Sequence, residues 1–229
     1  MKIAILTRSY KQRNDKKTSG RCVAGITEEG KWIRLVADKD GDSLPPDNST
    51  PFTKTVIDAE VVPSPLANQT ENAILIGWKL LDESIKAYVA KLSPVNETFL
   101  FGNKLDRLND DEIKRTKGSL RLVKVSDMKV YEVYDDIRRR VTYKCSFMYK
   151  ENQYEKIAVT DPRFYTPAGV GSFGNATIVV SLPNSPIYMK FVAAIYLNGT
   201  RKSANQAVDT NQIPLEAPEG HPLPRQNNS

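Results

Sequence analysis

The chain has 229 residues, enough for one large or two small domains, and at 40% hydrophobic it can bury a core. Its formal charge of +6 and pI of about 9.2 favour a polyanionic partner. Two cysteines without a CxxC pair and one histidine, His221, exclude a zinc site of the usual ligands. A Ser-His or Cys-His catalytic pair depends on His221, which stands in a Pro- and Asn-rich tail.

Residues 2–7 read as a first strand, followed by a polar, basic loop over 11–20. The first 40 residues carry ten Lys or Arg against five acids. No apolar stretch near the N-terminus is long enough for a signal peptide or membrane span, so the expected location is the cytoplasm, with Cys22 and Cys145 as free thiols. Strands over 21–26 and 31–36 flank Thr27-Glu28-Glu29-Gly30, a hairpin signature. The Gly, Pro, Asp and Ser content of 38–52 predicts a long loop. Strands over 55–62 and 73–80 follow, then a short helix over 83–92 that Pro94 stops. A second, polar helix is predicted over 103–115 with Leu105, Leu108 and Ile113 facing inward.

Thr116-Lys117-Gly118-Ser119 is the expected domain boundary. Beyond it, strands are predicted over 120–125, 129–133, 138–149, 153–160, 177–182 and 188–197, with turns at 134–137 and 150–152. The Asn, Gln, Pro and Ser content after residue 198 predicts a flexible tail. The expected layout is an N-terminal domain over 1–117 with a helical insertion, a C-terminal domain over 118–198 and a tail over 199–229. The class is mostly β, α+β in its few short helices. Each half has the strand count of a small antiparallel barrel, and two β-sandwich pieces fit the same periodicity.

A strand sends alternate side chains to opposite faces. In 138–149 that places Val141, Tyr143, Cys145, Phe147 and Tyr149 on one face, and Arg138, Arg140, Lys144 and Ser146 on the other. The first face suits a core and the second is a cationic strip. Trp32 and Arg34 share a face of their strand. Basic and aromatic side chains on a small β domain are the build of sequence-tolerant single-strand binders.

The candidate contacts each have a structural alternative. Arg21 and Arg34, in adjacent strands, suit one phosphate or base through their planar forks, or pair with Asp38 or Glu28. Trp32 is a stacking platform or a core tryptophan. Arg8 and Tyr10 end the first strand beside the basic loop. Arg138, Arg140 and Lys144 follow Asp135 and Asp136, whose presence also fits a solvated, ion-paired turn. Asp161, before Pro162, caps a turn through its own side chain or reads a base or ribose, with Arg163 on a phosphate. The Gly169-x-Gly171-x-x-Gly174 spacing lacks the strand–helix context of a dinucleotide fingerprint and reads as a loop.

Several islands resemble one prokaryotic family, the dual OB-containing domain: Gly20-Arg21-Cys22-Val23-Ala24-Gly25-Ile26, Trp32-Ile33-Arg34, Glu71-Asn72-Ala73-Ile74, Leu100-Phe101-Gly102-Asn103, Thr160-Asp161-Pro162 and Lys190-Phe191-Val192-Ala193-Ala194-Ile195. The resemblance runs to about residue 197 and implies two OB-folds with a nucleic-acid-binding role, in the setting of prokaryotic conflict or defence systems.

The expected function is therefore non-enzymatic binding of single-stranded or structured DNA or RNA, without metal or cofactor. The alternatives are a sensor holding a small nucleotide between the two β domains, and a module that docks on another protein.

Overall fold

The computed structural model describes residues 1–11, 20–46, 49–93, 95–136, 139–184 and 188–197. The basic loop, Arg138 and the tail thus lie largely or wholly outside the described residues.

Ten strands form two closed barrels. The first is built from β1 (Lys2–Lys11), β2 (Gly20–Thr27), β3 (Trp32–Val36), β4 (Val56–Pro63) and β5 (Asn72–Leu81), in the order β1-β2-β3-β5-β4 and back to β1. The second uses β6 (Leu120–Asp135), β7 (Arg140–Tyr149), β8 (Asn152–Val159), β9 (Gly171–Ser181) and β10 (Phe191–Leu197), in the order β6-β7-β8-β10-β9 and back to β6. The two orders are the same. In each barrel the third and fifth strands run parallel, β3 beside β5 and β8 beside β10, and every other pairing is antiparallel. This is the five-stranded barrel topology of the OB-fold.

β1 is apolar at four successive positions because both of its faces are covered. Ile3 and Ile5 point into the first barrel's core with Val23, Leu35 and Ile57. Ala4 and Leu6 point outward into a seam with Ala24, Ile26 and Tyr88 from their own side and Leu120, Val179 and Ala194 from the second barrel. β9 divides likewise, Ile178 and Val180 to the second core and Val179 to the seam. Gly25 is required at this crowding, since a Cβ there would lie 2.3 Å from the carbonyl oxygen of Ala4.

The expected strands over 120–125 and 129–133 are one strand. The break read at Ser126-Asp127 is a bulge: pairing shifts between Ser126 and Lys129, Asp127 takes φ 52°, and Met128 is fully buried. The helices are shorter than their polarity predicts. The first, α1, covers Lys86–Val89, and the second, α2, covers Asp110–Arg115. Asn109 sets the start of α2 by accepting from the Asp111 and Glu112 amides while Glu112 reaches back to the Asn109 amide, a reciprocal cap. Residues 103–108 stay outside the helix, and Leu105 is exposed.

Leu100, Phe101, Leu108 and Ile113 pack with the second barrel's core, so the segment ahead of the expected 116–119 boundary packs with the C-terminal barrel. Lys190 ties it down: its buried ammonium donates to Asn103 O at 2.8 Å, Asn103 Oδ1 at 2.6 Å and Leu105 O at 2.9 Å. Between β8 and β9 the chain makes two 3-10 turns, and Phe164 from the first of them packs into the barrel core.

Candidate nucleic-acid interface

A cleft of about 660 Å³ opens between the barrels. Its walls come from corresponding parts of each. The first barrel contributes Tyr10 and Cys22 from the ends of β1 and β2, and Gln69 from the β4–β5 connection. The second contributes Asp135 and Arg140 from the ends of β6 and β7, and Pro183, Asn184 and Met189 from the β9–β10 connection. These are the equivalents of the loops between strands 1 and 2 and strands 4 and 5, which with the strand 2–3 face form the ligand-binding side of OB-folds.

β7 supplies five consecutive lining residues, Arg140, Val141, Thr142, Tyr143 and Lys144. Both parities reach the cleft because β8 pairs with β7 only from Lys144 onward, leaving residues 140–143 paired to β6 alone. The expected two-faced strand holds further along, where Cys145, Phe147 and Tyr149 are buried in the core; Val141 is exposed instead. Tyr143 stacks on Tyr165, with ring centroids 5.0 Å apart and 12° between planes. The Tyr165 hydroxyl donates to Val159 O at 3.1 Å, which fixes the lower ring. Burial, and secondarily Asp161, push the Tyr165 phenol above its ordinary value, so it stays neutral at physiological pH.

Tyr10 and Phe191 add to the aromatic lining, and the Arg21 guanidinium lies 5.0 Å from the Tyr10 ring centroid. Burial pulls the Arg21 guanidinium below its ordinary value, and no carboxylate among the described residues pairs with it. A half-buried cation with no carboxylate partner among the described residues is an electrostatic cost that an anionic ligand offsets.

Of the residues singled out from sequence, Tyr10, Arg34, Arg140 and Lys144 line this cleft and Arg21 adjoins it through Tyr10. Arg34 does so from the seam, as a correction to the exposed contact expected of it. It is 6% exposed, and its Nη2 donates to Ser119 Oγ at 2.6 Å and Ser181 Oγ at 3.2 Å, with Glu71 Oε1 at 3.8 Å. Ser119 in turn donates through both its hydroxyl and its amide to Glu71 Oε1. Trp32 is likewise no open platform, because it packs against the seam cluster. Trp32 and Arg34 do share a face, with Arg34 buried in the seam and Trp32 half-buried against the seam cluster.

Asp161 and Arg163 take the structural alternative. Asp161 is 2% exposed, caps the 3-10 turn through the Arg163 amide, pairs bidentately with the Arg163 guanidinium at 3.0 and 2.7 Å, and accepts from the Ile195 amide at 2.9 Å. Arg163 also donates to Ile195 O. The pair fastens the turn to β10 and stands outside the cleft lining. Arg8 donates to Thr50 Oγ1 and lies over Phe52, also away from the cleft. Arg138 lies outside the described residues. Tyr165, Gln69 and Ser181 were not singled out from sequence, and Tyr143 was assigned to the core. Their meeting depends on the docking of two barrels, for which no local pattern exists.

Among the described residues, no cluster of three His, Cys, Asp or Glu side chains is placed to hold a metal ion, and no helix is long and apolar enough to cross a membrane.

Two OB barrels docked about a shared basic and aromatic cleft define a tandem OB-fold protein. A family model described as the dual OB-containing domain matches residues 1–195, and the chain belongs to that family. Comparison with curated proteins and with solved structures finds no match. At the level of the family, the OB domains point to nucleic acid.

Proposed function

We propose that this protein binds single-stranded or structured nucleic acid, without catalysing a reaction on it, in the cleft between its barrels. The observation that carries this reading is the convergence of the ligand-binding loops of both OB barrels on one cleft that holds a tyrosine stack and basic side chains. Bases stack on the faces of Tyr143 and Tyr10, and Arg140, Lys144 and Arg21 meet phosphates. Each base–aromatic stack contributes roughly 1–3 kcal/mol. The cleft lining includes one cysteine, Cys22, whose thiol lies 3.4 Å from Ser43 Oγ, and no histidine to activate it. That composition favours binding over covalent chemistry.

The test is fluorescence anisotropy with labelled single-stranded DNA, single-stranded RNA and duplex DNA at two salt concentrations. Affinity should fall as salt rises, because phosphate neutralisation releases counter-ions. Tyr143→Ala should weaken binding by roughly 5- to 150-fold, the equivalent of one stack. Affinity independent of salt, or unaltered in both Tyr143→Ala and Arg140→Ala/Lys144→Ala, would refute the assignment.

A further inference from the structure

The outer surface of the second barrel continues one wall of the cleft. Ser181, Phe191, Ala158 and Lys144 stand opposite one another on four adjacent strands, β9, β10, β8 and β7, and all four line the cleft. Residues paired in this way share a face of the sheet. That face points outward, because the chain neighbours Val180, Val192, Val159 and Cys145 point into the core. The next member of the row is Tyr131 of β6, opposite Lys144 and beyond the cleft lining. Strands lie about 4.8 Å apart, so the row from Phe191 to Tyr131 is about 14 Å long.

This extension carries an aromatic ring and cations. The Tyr131 hydroxyl accepts from the Lys156 amide of β8 at 3.2 Å, across the width of β7. The ring therefore lies along the sheet, half-buried, instead of standing off it. A bulge turns that amide outward: pairing of β7 with β8 shifts between Cys145 and Phe147, and Lys156 takes φ 56°. Lys129, two residues before Tyr131 and opposite Ser146, is exposed, as is Lys156. Of the acids near this row, Asp106 beside Lys144 is held through both oxygens by Arg107, and Glu155 near Tyr131 accepts from the Gln153 amide. Lys129, Lys144 and Lys156 outweigh Glu155, so the face is positive and complements a polyanion.

We propose that a single strand seated in the cleft continues across this row onto the outer sheet of the second barrel, with a base on Tyr131 and phosphates on Lys129 and Lys156. This rests on the cleft being the nucleic-acid site. The occupant is unpaired, because a ring lying along a sheet is matched by an open base face, and a duplex keeps its base faces in its own stack. Strand length then sets affinity along with the chemistry of the cleft: a short strand fills the cleft alone, and a longer one also covers the sheet.

The experiment is fluorescence anisotropy over a salt series with labelled single-stranded DNA and RNA of about 4 and about 12 nucleotides, lengths that bracket the sites of OB-folds. The wild-type protein should bind the longer strand more tightly. Tyr131→Ala should weaken the longer strand by roughly 5- to 150-fold, the equivalent of one stack, and leave the shorter one unaltered. Lys129→Gln/Lys156→Gln, two exposed changes, should lower the salt slope for the longer strand by about 1.4, the loss of two phosphate contacts. Tyr143→Ala, inside the cleft, should weaken both lengths. If Tyr131→Ala does not fold, the lysine variant and the wild-type length dependence decide. Equal wild-type affinity for the two lengths, an unchanged salt slope in the lysine variant, or equal losses on both lengths in Tyr131→Ala overturns the extended path and leaves binding in the cleft standing. No binding of either length overturns both readings.

Discussion

Arg34 offers the sharpest test of what holds the barrels together. Its guanidinium reaches Ser119 Oγ and Ser181 Oγ of the second barrel, while Glu71 of the first barrel accepts from Ser119. The Arg34 and Glu71 side chains are 7% and 6% exposed, so both charges are effectively out of water. Arg34→Met would leave the Glu71 carboxylate buried without its cation, and breaking a buried pair from one side costs about 3–5 kcal/mol. Glu71→Met should cost about as much by stranding the arginine. The double variant removes both desolvated charges and should recover most of the loss, since apolar replacements of buried pairs are often near neutral. Urea unfolding of the four proteins gives the coupling energy directly, expected at about 3 kcal/mol or more. A loss below about 1 kcal/mol in Arg34→Met would refute the idea that this polar knot, rather than the apolar seam alone, fixes the docking.

Three further outcomes follow from local geometry. Burial holds the Lys190 ammonium down to about 8, whereas an unfolded lysine titrates near 10.5. In that window the unfolded chain binds the extra proton, so this group makes stability rise with pH, by at most about 1 kcal/mol per unit. Burial raises Cys145 above its ordinary 9.0 and Tyr196 above its ordinary 10.0, which reverses the trend at higher pH. Thermal melts should therefore show a rise from pH 8 to 9 that Lys190→Met lacks; an identical slope in the variant would count against the assignment. Gly25→Ala drives a methyl against the Ala4 carbonyl and should cost about 1–3 kcal/mol in chemical denaturation, with near-neutrality disproving the close approach. Tyr154→Phe removes the hydroxyl that accepts from the Leu100 amide at 2.8 Å and donates to Asn103 O, and should cost about 1–3 kcal/mol by the same measurement. An unaltered midpoint would show that residues 100–103 are held by other contacts.

The barrels were legible in the sequence to the extent that they are local. The hairpin of β2 and β3, the strand order's raw elements and the buried parity of Cys145, Phe147 and Tyr149 all follow from period-two patterning and turn chemistry. The bulge at Ser126-Asp127 was not, because two polar residues in a strand look the same whether they end it or kink it. The site divides in the same way. Arg140, Lys144 and Tyr10 were readable as charge and aromaticity at strand ends. The placement of Trp32 and Arg34 at the seam was not, because alternation gives which residues share a face and is silent on what covers it. Asp161 before Pro162 carries a turn signature in the sequence, and its cap and ion pair are that signature fulfilled.

The double burial of β1 bears on how this chain can be divided. Each barrel repeats the same strand order, which invites treating them as interchangeable modules to be expressed, swapped or evolved singly. Yet Ala4, Leu6, Ala24 and Ile26 on one side, and Leu120, Val179 and Ala194 on the other, would be open wounds on any separated half. A half cut from its partner inherits an adhesive flank and loses one wall of the cleft in the same stroke. The indivisible unit is thus the pair, two complementary pieces of one object built on the same strand order.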